Sequence, residues 1–586
     1  MKSYRVQVGV DTSDVSKADK PGLNAMNIVV APGISLAELL ACHGFKIRQD
    51  CGGHGTCGKC RARVAIVDEV SMTDDQSAVS SEKVDIVTRL DFREVLLCQT
   101  MVNSDMIVLL PASCFPDGKQ EPLTFETESE QTLLWQQADG HSLGIAVDLG
   151  TTTLVVSLLD LTTKKVLSRA TCRNPQIETG ADIITRIQYA TTSPSHAQQM
   201  QVLAINRIDE MVVTLTKRCN LPLKSIAKVV VSGNTAMTWF FCGLDTACLG
   251  VWPFQPPFTT ILPGVNAPIV KLPSCPHAEV EIIPVLAGFL GGDILAGILT
   301  LKKSGKESDS YFSSPILYLD LGTNGELVLI NEDEIFVTAT AAGPAFEGAG
   351  IRFGMTAAPG AIEAVDFSDA PYWLNGQKSA DSLLVNGGGA AKGICGSGLI
   401  DAVAELLRFG VIDRSGRFRD PAHLQFRKGE TPVLAMFSRL GMFEGHKAFR
   451  LTDESTPDSD AVWLTQGDIR AVQLAVGALR AGIHILYRNV SSHYHNLCRR
   501  KQIYLAGLFG NHIHLENAIA IGLLPQKTLP DDYTYCGNAA LSGTEQYAFD
   551  SSIKGFVNDL VNRVHHIDLA AESDFKDVFI NALVFP

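Results

Sequence analysis

The sequence has too few basic residues to attract a polyanion. It contains 49 Lys and Arg against 63 Asp and Glu, which gives a formal net charge of −14 at pH 7. Nucleic acid and anionic membrane surfaces are repelled by an acidic field, so we expect neither as a main partner. No long run of Lys or Arg in the sequence changes that expectation.

Targeting and membrane signals are weak as well. The N-terminal MKSYRVQVGV has no apolar run of signal-peptide length, which predicts a cytoplasmic protein. Residues 282–301 have about the length of a bilayer span, but Asp293 lies near their centre and glycines interrupt them. A mid-span carboxylate costs about 2.5–3.5 kcal/mol, so a buried strand, a glycine turn and a helix are predicted instead. The 14 cysteines are then expected to be thiols or metal ligands rather than disulfides.

Three of the cysteines lie in one glycine-rich loop, CGGHGTCGKC, at residues 51–60. The set Cys51-x5-Cys57-x2-Cys60 with a distant Cys98 is one residue longer than the plant-type [2Fe–2S] spacing C-x4-C-x2-C with a fourth cysteine. Glycines suit a cluster loop, because backbone N–H groups must approach the sulfides and positive φ angles are often needed. Strand-like segments surround the loop, and a Ser35–Glu38 capping box predicts a helix before it.

Two other interpretations of these cysteines remain open. Four thiolates also bind zinc, although structural zinc usually takes two short pairs, and Cys98 stands alone in an apolar context. Cys57 and Cys60 form a CxxC that is typical of a redox pair, but such a pair normally opens a helix after a strand.

The strings CGGHGTCGKCRARV and LLCQT resemble the [2Fe–2S] ferredoxin domain, which implies a β-grasp fold over residues 1–112.

A second pattern occurs twice in the remainder of the chain. GIAVDLGTTTLVVSLLD begins at Gly144, and ILYLDLGTNGELVLIN repeats the order of strand, D-L-G-T, turn and strand from Ile316. Turn N–H and hydroxyl groups can bind phosphate oxygens, and a carboxylate at the strand end can hold hydrated Mg²⁺. No GxxxxGK[ST] string occurs, so a P-loop is excluded. The duplication predicts two related halves, about 143–312 and 313–586.

Several glycine turns at predicted helix starts agree with a nucleotide site. Together with the repeat they resemble the acetate kinase, sugar kinase, Hsp70 and actin superfamily, which implies two ribonuclease-H-like halves with ATP between them. The resemblance implies catalytic or Mg²⁺-positioning roles for Asp148 and Asp320, and Asp293 is a further candidate that could equally cap a helix. The residues expected to contact ATP are Gly150, Thr151, Thr152, Thr153, Gly233, Asn234, Gly322, Thr323, Asn324, Gly325, Glu326, Gly396, Ser397, Gly398, Gly507, Gly510 and Asn511.

The joining of the two modules carries the functional prediction. An α/β multidomain chain is expected, with a ferredoxin domain (1–112), a linker (113–142) and an ATP-binding region (143–586). Strings such as NPQIETGADIITRI, GPAFEGAGIRFGM and GICGSGLIDAVAEL make it resemble the reductive activators of corrinoid proteins, including O-demethylase activating enzymes. The resemblance implies ATP-dependent reduction of cob(II)alamin to cob(I)alamin in a corrinoid protein of a methyltransferase system.

The same resemblance implies the cofactors and partners. We expect one [2Fe–2S] cluster held by Cys51, Cys57, Cys60 and Cys98, together with ATP, Mg²⁺ and a low-potential electron donor; a homodimer is compatible with the family. The C-terminal DLAAESDFKDVFINALVFP has no cysteine, which argues against a second cluster. Two alternatives stay open: a kinase-like transferase with a regulatory cluster, and a redox carrier whose ATPase fold is only a docking scaffold.

Overall fold

The chain forms two compact units in a computed structural model. The first unit comprises residues 1–124 and 171–207, and the second comprises 125–170 and 208–586. Residues 171–207 belong to the predicted ATP-binding region but are grouped here with residues 1–124. The predicted domain boundaries at 112 and 142 stay a prediction. The structure describes residues 4–10, 26–30, 32–42, 47, 60–66, 92–111, 124–126, 142–180, 182–301, 312, 315–322, 324–331, 334–368, 383–420, 436–453, 455–490, 502–507, 513–525 and 533–586.

A five-stranded mixed sheet forms the core of the first unit. Its order is β2-β1-β5-β3-β4, with β1 parallel to β5 and the other neighbours antiparallel. The order agrees with the β-grasp fold that the resemblance implies, and the ferredoxin domain itself stays a prediction. Val6 and Val8 alternate with polar residues along β1 and are buried against Leu36 and Leu40 of the helix. The elements are β1 (Tyr4–Val10), β2 (Met26–Val30), α1 (Leu36–Cys42), β3 (Arg61–Ile66), β4 (Arg93–Leu96) and β5 (Met106–Leu110).

The helix α1 begins where its capping residue predicts. The Glu38 backbone N–H donates to the Ser35 hydroxyl oxygen at 3.2 Å, which satisfies one of the free donors of the first turn. Residues 124–207 then contribute β6 (Thr124–Glu126), β7 (Leu143–Leu149), β8 (Thr153–Asp160), β9 (Lys165–Arg173), α2 (Ile183–Thr192) and the start of α3 (Pro194–Arg218).

Two six-stranded sheets repeat one topology, as the duplicated motif predicts. The first sheet has the order β11-β10-β7-β8-β9-β6, and the second has the order β22-β21-β12-β13-β14-β23. In each, an antiparallel hairpin carries the D-L-G-T turn, and the first hairpin strand pairs in parallel with a strand from later in the chain. The strands are β10 (Ile226–Gly233), β11 (Glu279–Ile282), β12 (Ile316–Leu321), β13 (Gly325–Asn331), β14 (Glu334–Thr340), β21 (Gln502–Ala506), β22 (Tyr533–Gly537) and β23 (Val564–His566).

Smaller strands and the helices complete the second unit. Two three-stranded sheets have the orders β16-β15-β17 and β18-β19-β20. Their strands are β15 (Ala361–Val365), β16 (Leu383–Val385), β17 (Gly393–Ile394), β18 (Leu440–Phe443), β19 (His446–Arg450) and β20 (Trp463–Thr465). The helices are α4 (Thr235–Cys242), α5 (Gly292–Thr300), α6 (Gly396–Arg408), α7 (Gln466–Val490), α8 (Leu515–Ala520), α9 (Ala539–Phe549), α10 (Ile553–Asn562) and α11 (Phe575–Ala582).

The long helix α7 is a core helix of the second half. Thr465 and Asp468 form a capping box. The Asp468 N–H donates to the Thr465 hydroxyl oxygen at 3.2 Å, and the Thr465 N–H donates to Asp468 Oδ2 at 2.7 Å. The apolar residues of α7 recur in the sequence at steps of three and four and form a stripe that packs into the main core of this half: Ile469, Val472, Val476, Leu479, Ile483, Leu486 and Val490. Among the residues that the structure describes, α7 is the one helix long and apolar enough to cross a membrane, and 72 % of its most apolar window is buried in the protein.

The segment 282–301 forms the predicted strand end, glycine turn and helix. β11 ends at Ile282, and α5 begins at Gly292 and carries Asp293 in its first turn. Helix α5 packs against α9 in a core that includes side chains of both six-stranded sheets. The helix pair therefore joins the two halves of the repeat and places Asp293 beside both D-L-G-T turns.

Candidate functional site

The two aspartates of the repeated motif occupy equivalent places in the two halves. Asp148 is the sixth residue of β7, and Asp320 is the fifth residue of β12; in each case a hairpin turn follows. Asp320 lies directly opposite Glu326 in the β12–β13 register. Each carboxylate is thus set on a buried strand at the edge of a glycine turn, where a phosphate-bound cation can reach it.

The carboxylates of the two halves converge with that of Asp293. Loss of hydration raises the pKa of Asp148 and that of Asp320 to about 6, and that of Asp293 to about 7. Desolvation also raises the pKa of Glu326, and the charges of Asp320 and Asp293 raise it further. Asp148 and Asp320 raise the pKa of Asp293 in the same way. A bound cation would relieve both effects, because it favours the ionised form of every carboxylate around it.

Two side chains that the sequence analysis missed hold these aspartates in place. The Asn538 amide donates to Asp148 Oδ2 at 2.7 Å from the N-cap position of α9. The Tyr318 hydroxyl donates to Asp320 Oδ2 at 3.0 Å, and that bond lowers the pKa of Asp320 against the effect of burial. Asn538 follows Gly537 at a helix start, as Asn234 follows Gly233, but no local pattern pairs it with Asp148. Tyr318 is visible only as an apolar-strand residue two positions before the motif.

The glycine turns bring several predicted nucleotide residues to the same region. Gly507 has a φ of +94°, and a Cβ there would lie 2.5 Å from the carbonyl oxygen of Leu321 and 3.0 Å from Asp320 Oδ1. Gly150 is equally constrained, because a Cβ would lie 2.5 Å from the Thr153 carbonyl oxygen. Glycine is required at both positions, and the backbone after β21 approaches the D-L-G-T turn that follows Asp320.

Other predicted contacts have a visible structural role. The Asn234 side chain caps α4 by accepting from Ala236 N–H at 3.0 Å and donates to the Phe289 carbonyl at 2.7 Å. The Ser397 hydroxyl donates to the Glu363 carbonyl at 2.7 Å. The backbones of Gly233 and Gly398 also pack closely on the backbone carbonyl groups of Leu149 and Ile362 of the same chain. Contact of these residues with a nucleotide stays a prediction.

The remaining predicted nucleotide residues divide into two groups. The first group lies in or beside the two hairpin turns and at the start of α6, and comprises Thr151, Thr152, Thr153, Gly322, Asn324, Gly325 and Gly396. Thr323, Gly510 and Asn511 lie outside the described residues.

The five-stranded sheet of the first unit brings two of the four predicted cluster ligands together. Cys60 immediately precedes β3 and Cys98 follows β4, and these strands pair with Arg61 opposite Leu96. Cys60 Sγ and Cys98 Sγ are 3.3 Å apart, although the residues are 38 positions apart in the chain. This contact joins two thiol sulfurs and is not a disulfide bond. Cys51 and Cys57 lie outside the described residues. Within the described part of the chain, no three His, Cys, Asp or Glu side chains are grouped so that they could hold a metal ion.

Comparison with known families gives a consistent result over most of the chain. Residues 143–304 match the RACo middle region, and residues 314–586 match the C-terminal domain of RACo, the ASKHA domain. ASKHA denotes the acetate kinase, sugar kinase, Hsp70 and actin superfamily. The predicted ATPase fold is thereby confirmed.

Individual relatives agree with the family matches. The chain is similar to the corrinoid activation enzyme RamQ of Eubacterium limosum, with 29 % identity over 94 % of this chain and 96 % of that protein. It is 23 % identical to the [Co(II) methylated amine-specific corrinoid protein] reductase of Methanosarcina barkeri, over 75 % of this chain and 77 % of the other.

A solved structure extends the likeness to the whole chain. The reductive activator for corrinoid, iron-sulfur protein has a TM-score of 0.62 and 27 % identity, and the match covers 100 % of this chain and 98 % of that one. The chain therefore belongs to the RACo family of reductive activators of corrinoid proteins, which carry an ASKHA domain.

Proposed function

We propose that this protein is an ATP-dependent reductive activator, which returns a corrinoid protein from cob(II)alamin to cob(I)alamin by one-electron reduction. The observation that carries the proposal is the presence, in one chain of the RACo family, of a cysteine set for a cluster and a converging carboxylate site for a nucleotide. The relatives named above are themselves described as acting on corrinoid proteins. A low-potential donor supplies the electron.

The first unit supplies the electron-transfer part of the proposal. Ligands about 2.3 Å from one tetrahedral metal lie roughly 3.7 Å apart, and the Cys60 and Cys98 sulfurs are within a few tenths of an ångström of that separation. These two thiolates fit one iron of a [2Fe–2S] cluster, with Cys51 and Cys57 left for the other. When bound, such a cluster supplies one-electron transfer at about −400 mV in plant-type proteins.

The second unit supplies the nucleotide part. Asp148 and Asp320 are the residues that would hold hydrated Mg²⁺, since each ends a strand at a phosphate turn and is oriented by a hydrogen bond from Asn538 or Tyr318. Asp293 adds a third carboxylate from the first turn of α5. The hydroxyls and N–H groups of the 150–153 and 322–325 turns would bind the phosphates.

Coupling between ATP and reduction requires that ATP bind two conformations unequally. The site is suited to such coupling because its carboxylates come from both halves of the repeat. A change in how the halves approach each other therefore changes the ligand set. ATP acts in this proposal by favouring the arrangement in which Asp148 of the first half and Asp320 of the second hold the hydrated Mg²⁺ between them.

The test uses the anaerobically purified, reduced protein and a corrinoid protein loaded with cob(II)alamin. Formation of cob(I)alamin is followed by its absorption with ATP, with ADP and without nucleotide. We expect reduction to depend on ATP and on the reduced activator. Reduction at the same rate without ATP would favour a simple redox carrier, and ATP-dependent phosphorylation of a substrate without reduction would favour a kinase-like transferase.

A further inference from the structure

One hydrogen bond ties the first phosphate turn to a distant turn of the second half. The Thr152 hydroxyl donates to Glu347 Oε2 at 2.9 Å, and the two residues are 195 positions apart. Thr152 lies between β7 and β8, in the turn that follows Asp148. Glu347 lies beyond the end of β14 of the other sheet. The Glu347 carboxylate thus already accepts a hydrogen bond from the hydroxyl that this turn would donate to a nucleotide phosphate.

The backbone around Glu347 is built to hold that carboxylate in place. Pro344–Glu347 forms a 3-10 turn between Gly343 and Gly348, whose φ angles are 76° and 83°. The Gly348 N–H closes the turn on the Ala345 carbonyl at 3.1 Å. A Cβ at Gly348 would lie 2.6 Å from the Met355 nitrogen, so the turn is pressed against neighbouring backbone. Phe346 is 5 % exposed and anchors the turn in the core.

The chemistry of this pair makes it sensitive to a bound phosphate. A hydroxyl has one hydrogen to donate, and a bond to a carboxylate or to a phosphate oxygen is charge-assisted in both cases. The two acceptors therefore compete for one donor. They also repel each other, because a nucleotide phosphate at the 150–153 turn would place like charges beside Glu347.

We propose that Glu347 is a positioning residue that acts through Thr152. In the nucleotide-free protein it holds the Thr152 hydroxyl, and a terminal phosphate of ATP takes its place there. Loss of the Thr152–Glu347 bond then lets the Glu347 side chain move while the Pro344–Glu347 turn stays in place, so that the second half responds to phosphate bound in the first. This inference rests on the proposed nucleotide site and adds a residue that reports its occupancy.

The experiment measures Mg²⁺-ATP and Mg²⁺-ADP affinity by isothermal titration calorimetry of the full chain, without any corrinoid partner. E347Q keeps the size of the side chain and removes its charge, which turns a charge-assisted competitor into a neutral one. We expect ATP to bind about five- to tenfold more tightly to E347Q, which corresponds to that difference in hydrogen-bond strength. ADP should gain less if the terminal phosphate is the group that displaces Glu347.

A double-mutant cycle separates competition at Thr152 from a general charge effect. T152V keeps the shape of the side chain and removes the hydroxyl, so we expect E347Q to change ATP affinity less than about twofold in that background. E334Q is the matched control, because Glu334 begins the same strand β14 that leads to the turn and its side chain is 64 % exposed. We expect wild-type ATP affinity for E334Q, and circular dichroism melting confirms that each variant folds.

Three outcomes would overturn the inference. The first is an E347Q variant that binds ATP within twofold of the wild type or more weakly. The second is an equal gain in the T152V background, which would reduce Glu347 to a background charge. The third is an equal gain in affinity for ATP and for ADP, which would exclude displacement of Glu347 by the terminal phosphate. A wild-type protein that binds no ATP would overturn the nucleotide site of the proposed function as well. If E347Q shows the expected gain in ATP affinity but the wild type does not reduce a corrinoid protein, the proposed function fails and this inference stands.

Discussion

At the scale of single residues, the carboxylates of the second unit decide how the site responds to pH. The pKa of Asp148 and that of Asp320 rise from 3.8 to about 6, and that of Asp293 rises to about 7. Between about pH 4 and pH 7 the unfolded chain has lost these protons while the folded protein keeps them. Unfolding then releases protons, so stability without Mg²⁺ should fall as the pH rises through this window and level off above about 7.

Mg²⁺ should reverse that trend, because it needs the ionised carboxylates. We expect the stabilisation by Mg²⁺-nucleotide to be largest near pH 8 and to disappear below about pH 6, with affinity falling up to tenfold per pH unit for each proton displaced. Thermal melting with and without Mg²⁺-ADP across this range measures it. D320N should weaken the response, whereas D559N, at an exposed ion pair with Arg563, should keep it. A stabilisation independent of pH would contradict the assignment of these carboxylates to the cation.

Cys98 is the residue-scale test of the first unit. Its sulfur lies 3.3 Å from that of Cys60, so C98S should remove one of the two thiolates that we propose bind the same iron. We expect C98S to lose the visible and electron paramagnetic resonance spectra of the cluster and most of its iron and acid-labile sulfide. C248S is the control, because Cys248 is half-buried in a short turn of the second unit. A full [2Fe–2S] spectrum in C98S would exclude Cys98 as a ligand.

At the scale of elements, the contact between α5 and α9 joins the two halves of the ATPase core. A Cβ on Gly543 of α9 would lie 1.8 Å from the Ala296 carbonyl oxygen of α5. Only glycine permits this approach. It brings Asp293, at the start of α5, near Asp148, and it brings Asn538, at the start of α9, into hydrogen-bond contact with Asp148. The helix pair therefore sets the geometry of the carboxylates.

G543A should push these two helices apart. Because the clash is with backbone, we expect a loss of about 1–3 kcal/mol in the free energy of unfolding, together with weaker Mg²⁺-ATP binding. G555A is the matched control, since Gly555 lies in α10 with no atom within 4 Å of an added Cβ. It should be neutral or gain up to about 1 kcal/mol from helix propensity. Urea unfolding of both variants measures the difference, and equal stability would contradict the close packing of α5 and α9.

At the scale of the whole molecule, the proposed linker at 113–142 should matter for electron delivery. Tethering gives a flexible domain an effective concentration of about the millimolar range. A protease site inserted at 127–141 and then cleaved should therefore lower the rate of corrinoid reduction at micromolar protein by at least about tenfold. The uncleaved insertion variant is the control. A cleaved protein that reduces its partner at the full rate would show that the tether has no role.

Much of this organisation follows from the sequence by itself. The two D-L-G-T hairpins predict the duplicated sheets, because alternation of apolar strands and glycine turns is a local property of the chain. The capping box and apolar stripe likewise predict α7, and the cysteine spacing predicts that Cys60 and Cys98 belong to one site. For the hairpins and α7 the residues that decide the structure are close in sequence or repeat a fixed motif, whereas Cys98 is included because the ferredoxin pattern has a distant fourth cysteine.

Only the tertiary structure identified Asn538 and Glu347 as partners of the first phosphate turn. They contact Asp148 and Thr152 across 390 and 195 positions of chain, and each is placed by packing that no local pattern encodes. The raised pKa values of the three aspartates have the same origin, because desolvation depends on all the atoms that surround a carboxylate. The sequence by itself determined the elements and the residue types of the site. Tertiary packing alone decided which of them meet and in what electrostatic environment.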